Sequence, residues 1–72
     1  MDNKRRDNFK RLASSRTNEV LRRLRILGNC ANRSSYDYTE EEVNKIFSEI
    51  SKKISEMKPK FTFPNKNREF KL

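Results

Sequence analysis

Between residues 4 and 25 the chain places nine cationic side chains: Lys4, Arg5, Arg6, Lys10, Arg11, Arg16, Arg22, Arg23 and Arg25. Seven of the nine are arginine, whose planar guanidinium grips a phosphate or carboxylate through two bonds where lysine acts as a point charge. Only Asp2, Asp7 and Glu19 accompany them in residues 1–27, three carboxylates against nine cations, so most of the positive charge has no local counter-charge. The chemistry on offer is the gripping of an anionic polymer or surface.

Bond-making chemistry has little to work with. The chain has no histidine, which removes the commonest general base and the commonest metal ligand. Its one cysteine, Cys30, forms neither an internal disulfide nor a zinc site, and beside Ala31 it reads as a small buried hydrophobe. A single glycine excludes a glycine-rich phosphate loop. The sequence therefore predicts a protein that is not an enzyme, with no catalytic residue, metal, cofactor or small-molecule substrate.

Three other groups of residues invite binding. Residues 28–38, G-N-C-A-N-R-S-S-Y-D-Y, offer Asn29, Asn32 and Tyr36 as candidate base contacts and Arg33 as a further phosphate contact. The same Asn, Ser and Asp residues equally favour turns, because their side chains compete for nearby backbone groups. Residues 59–72 interleave Phe61, Phe63 and Phe70 with Lys60, Lys66, Arg68 and Lys71. That pattern suits stacking on single-stranded nucleic acid or docking of a short peptide on a protein partner.

The elements that position these groups follow from periodicity. Phe9, Ala13, Val20, Leu24 and Leu27 recur at helical spacing and predict a helix over 3–27, with Leu12, Leu21 and Ile26 widening its apolar stripe. Arg5, Arg16 and Arg23 project into one sector of that helix and Arg11, Arg22 and Arg25 near another, both away from the stripe centre. Ser14, Ser15, Thr17 and Asn18 are weak helix formers and mark an alternative start or bend. Gly28 stands where a left-handed residue ends a helix, with Arg22, Arg23 and Arg25 facing the negative end of the dipole.

The second helix, 39–58, has a sharper start. Thr39-Glu40-Glu41-Glu42 is a capping box, and three glutamates in one turn complement the positive helix end. Tyr38, just before the cap, is placed to pack on Val43. Val43, Ile46, Phe47, Ile50, Ile54 and Met57 form a narrow apolar stripe, and Pro59 ends the helix.

The resulting fold is all-α: an antiparallel helical hairpin over 1–58 with a packed connector, and an extended basic tail over 59–72. Of the 72 residues 32% are hydrophobic and 39% charged, a lean supply for a core in so short a chain. The wide end of the first helix exceeds what one partner helix covers, which favours self-association into a four-helix arrangement or docking on a larger protein. The net charge of +8 concentrates in the first helix and the tail, giving a local positive field suited to nucleic acid or an acidic protein surface. No apolar run approaches a membrane span or a secretory signal, so the expected location is cytoplasmic.

The run over 16–47, helix, then G-N-C-A-N-R-S-S-Y-D-Y, then helix, resembles short bacterial and mobile-element proteins with a G-N-x-x-N-R-S-x-Y-x-Y loop between two helices. The resemblance implies a bacterial or phage setting and no particular activity. The connector is too long for the turn of a helix-turn-helix motif. Taken together, the sequence predicts a small basic protein that binds nucleic acid through Arg5, Arg11, Arg16, Arg22, Arg23, Arg25 and Arg33. The rival expectation is an accessory or inhibitor subunit docking through its apolar flank and Phe-rich tail.

Overall fold

The structure, a computed structural model, describes residues 3–63. Phe70 and the rest of the predicted tail beyond Phe63 lie outside those residues. The described chain is all helical, with two α-helices, two single 3-10 turns and no strand. It divides between Asp37 and Tyr38 into two units.

The first unit is built on α1, Lys4–Gly28. No glycine or proline interrupts residues 4–27, and the weak formers Ser14 to Asn18 are flanked by Arg, Leu and Ala, which carry the helix through without a bend or restart. Its start is plain. Asn3 has helical angles, φ −83° and ψ −9°, and its side chain caps nothing, while the Asp7 amide donates to the Asn3 carbonyl at 2.8 Å.

The end of α1 corrects the sequence expectation for Gly28. This residue is right-handed, φ −61° and ψ −23°, and no described residue has a positive φ. The Asn29 amide donates to the Ile26 carbonyl, which tightens the last turn into the 3-10 turn Asn29–Ala31 and removes the need for a left-handed reversal at the glycine. The chain leaves helical geometry at Asn32, φ −72° and ψ 103°. There the Asn32 Oδ1 accepts from the Ser34 amide at 3.1 Å and from the Ser34 hydroxyl at 2.6 Å. The Asn32 carbonyl also accepts from the amides of Ser35 at 3.1 Å and Tyr36 at 2.9 Å. Asn32 turns the chain, a role the sequence assigned to Gly28.

The second unit is built on α2, Glu40–Met57, and begins as predicted. The Glu42 amide donates to Thr39 Oγ1 at 3.1 Å, and the Thr39 amide donates to Glu42 Oε1 at 2.9 Å. Tyr38, Val43 and Ile50 are half-buried and, with Ile46, floor a shallow groove rimmed by Glu42 and Glu49. Pro59 has no amide hydrogen to continue the helix, and the chain passes into the 3-10 turn Lys58–Lys60, closed by the Phe61 amide on the Lys58 carbonyl at 3.2 Å.

Among the described residues no side chain is buried. That includes Cys30, which is exposed and is not the buried hydrophobe the sequence suggested. The 3-10 turn that carries it leaves the thiol without apolar cover. Tyr36 is likewise exposed, at 54%, so the connector takes its form from the Asn32 turn. No helix of the described residues is long and apolar enough to cross a membrane.

Candidate nucleic-acid interface

α1 fixes where its cations stand. With about 100° of rotation per residue, Phe9, Ala13, Val20, Leu24 and Leu27 share one face. Arg11, Arg22 and Arg25 fall on the opposite side, together with Lys4, the acidic Asp7 and the small polar side chains of Asn8, Ser15 and Asn18. Arg5, Arg16 and Arg23 do not share that far face. They lie roughly 50–65° from the stripe centre, at its shoulder, so the sequence reading that set both sectors away from the stripe holds only for the first. From Lys4 to Arg25 the far face runs for about 30 Å at 1.5 Å per residue.

One acidic residue stands between the sectors. Glu19 receives Arg22, from the far face, at 2.6 Å and Arg23, from the shoulder, at 3.0 Å. Arg22 binds it with a fork, Nε to Oε1 at 3.3 Å and Nη2 to Oε2 at 2.6 Å. Sequence reasoning counted Glu19 only as an available counter-charge, although its i+3 and i+4 spacing to Arg22 and Arg23 predicts such a clamp. Arg11 Nη2 donates to Asn8 Oδ1 at 3.3 Å, which steadies the side chain without cancelling its charge. Among the described residues, no carboxylate of α1 forms an ion pair with Arg5, Arg11, Arg16 or Arg25.

The connector continues from the arginine-rich end of α1. Asn29 and Tyr36 are exposed there, as is Arg33. Asn32 is the weaker candidate for a base contact, because its side-chain oxygen already serves Ser34 twice. In the second unit Phe61 and Phe63 are 54% and 82% exposed, following the Lys58–Lys60 turn. No group of histidine, cysteine, aspartate and glutamate that could hold a metal ion occurs among the described residues.

No family model, no curated protein and no solved structure matches the chain. The functional reading therefore rests on the residues and their geometry.

Proposed function

We propose that the protein binds nucleic acid without catalysis, through phosphate contacts made by the far face of α1. The observation that carries this reading is the concentration of exposed guanidinium charge on one helix with only two carboxylates, Asp7 and Glu19, set against it. A face of Lys4, Arg11, Arg22 and Arg25 with small polar residues between them can follow a phosphate backbone, and Arg33 extends the charge into the connector. Arg5, Arg16 and Arg23 at the shoulder add to the field that draws a polyanion in. Asn29 and Tyr36 are the candidates for selectivity.

The test is binding to duplex DNA, single-stranded DNA and structured RNA across a salt series. A steep fall of affinity with salt is expected, because each neutralised phosphate releases counterions. Replacing Arg22, Arg23 and Arg25 together by Gln is expected to cut affinity while leaving helix content near that of the parent. Unchanged binding by the triple variant overturns the assignment.

A second reading is favoured by Phe63, whose large apolar ring is 82% exposed. In this reading Phe61 and Phe63 dock on a larger protein partner, with Phe70 further along the chain. Such binding survives salt and fails on replacement of Phe61 or Phe63 by Ser.

A further inference from the structure

α2 carries a face that asks for a cover and a charge pattern that says which. Val43, Phe47, Ile50, Ile54 and Met57 are spaced four, three, four and three residues apart, the alternation of a helix seam, with Ile46 beside them. All six fall within an arc of about 100°, and no polar residue of α2 enters it. Ile46, Phe47, Ile54 and Met57 are 42–54% exposed. Ser51 edges the stripe on the Phe47 and Ile54 side, where its small side chain lets another helix approach closely.

The charges along α2 and the 3-10 turn that follows it are split by sign. Residues 40–49 carry four glutamates and one lysine, and residues 50–60 carry four lysines and one glutamate. The mirror plane of this pattern lies at Ile50, which is also the midpoint of the stripe from Val43 to Met57.

We propose that the α2 face binds the α2 face of a second copy of this chain, antiparallel, about a two-fold axis near Ile50. Each acidic half then lies along a basic half, twice over, and the helix dipoles oppose. The parallel alternative sets like charge beside like charge over the whole length.

The α1 helix of the same chain is a poorer cover. Laid antiparallel on α2 as in the predicted hairpin, its Arg16, Arg22, Arg23 and Arg25 would meet the acidic half. Its first turns, with Lys4, Arg5, Arg6, Lys10 and Arg11 against a single Asp7, would meet the lysine half and repel it. Only a second α2 matches both ends.

The experiment is sedimentation equilibrium on the full chain, freed of nucleic acid, over a wide concentration range at low and high salt. The parent is expected to pass from monomer to dimer with concentration, and Ile50→Glu to remain monomeric. Since that variant can also weaken the helix, two charge variants carry the decision. Glu40→Lys with Glu49→Lys turns residues 40–49 net basic, and Lys53→Glu with Lys58→Glu turns residues 50–60 net acidic. Each alone is expected to dimerise at least about tenfold more weakly than the parent, and an equimolar mixture to recover the dimer as a heterodimer. A parent that stays monomeric at every concentration overturns the proposal, leaving α1 or a different protein as the cover. So does a dimer that both charge variants form as well as the parent.

Discussion

Glu19 and Arg22 face each other one helical turn apart, with two guanidinium nitrogens on the two carboxylate oxygens at 3.3 Å and 2.6 Å. Arg23 takes the same carboxylate from the other side at 3.0 Å. One acidic residue thus restrains a cation from each of the two arginine sectors of α1. All three side chains are about half exposed or more, so each pair steadies the helix by only about 0.3–0.5 kcal/mol. The larger consequence is electrostatic, because under the proposed function Glu19 is the carboxylate that an incoming phosphate would have to displace.

Replacing Glu19 by Gln is expected to release both guanidiniums and remove a repulsive charge from the binding helix. Affinity for duplex DNA at low salt should rise, on the order of threefold to tenfold, or up to about 1.4 kcal/mol. A titration against labelled duplex reads this directly, and weaker binding would argue that the clamp pre-orients Arg22 and Arg23 for their ligand.

Single replacements separate the sectors. Arg11→Gln and Arg25→Gln on the far face should each reduce the slope of log affinity against log salt by about 0.9 for duplex DNA. Arg5→Gln at the stripe shoulder should lower affinity without removing a full contact from that slope.

Gly28→Ala is expected to stabilise α1 by about 0.5–1 kcal/mol. The glycine already has helical angles, and an added Cβ meets nothing within 4 Å. Helix content followed by circular dichroism through a thermal melt should increase. A decrease would place a left-handed residue at this position after all.

Thr39→Ala removes the acceptor for the Glu42 amide and should destabilise α2 by about 1 kcal/mol. The backbone bond from the Val43 amide to the Thr39 carbonyl, 3.1 Å, does not depend on the side chain. Faster hydrogen exchange is therefore expected first at Glu42, and an unchanged rate there would show the cap to be idle.

Asn32→Asp keeps an oxygen for the Ser34 amide and hydroxyl, whereas Asn32→Ala loses both bonds at a net cost of about 0.5–1.5 kcal/mol each. If Asn32 serves only the turn, Asp should preserve the connector's chemical shifts, with nucleic-acid affinity lowered slightly by the added charge. A loss of selectivity among nucleic acids in the Asp variant would show that the amide group touches a base.

The parts of the fold that sequence reveals are those decided within one turn of helix. Thr39 and Glu42 are three residues apart, and each needs only the other to cap α2, so their bonds follow from spacing. The stripe from Val43 to Met57 is legible for the same reason. Gly28 was misread because residue type alone does not say whether the last turn of α1 opens left-handed or tightens into a 3-10 turn. That choice hung on the Asn29 amide reaching Ile26, and on Asn32 standing ready to turn the chain four residues later. The apolar neighbour of Cys30 points to burial, yet the turn that carries it leaves the thiol exposed. In the candidate site, the arginine count is plain, and the split between far face and shoulder follows from the same 100° per residue once each arginine is measured against the stripe centre. Which surface covers which stripe has no local signature at all, since it is settled by matching charges and areas along whole helices.

The Asn32 turn, the Thr39 cap and the Glu19 clamp have one thing in common, which is reach: their bonds join residues two to four apart. Structure of that kind closes no long loop as it forms, so it assembles in roughly a microsecond or less for a helix of this size. Encounter with a nucleic acid or a second chain is set by concentration and is far slower under dilute conditions. The helices of this protein can therefore melt and re-form many times between encounters. In a rapid-mixing experiment the gain of ordered backbone should keep pace with association and show no slower step of its own.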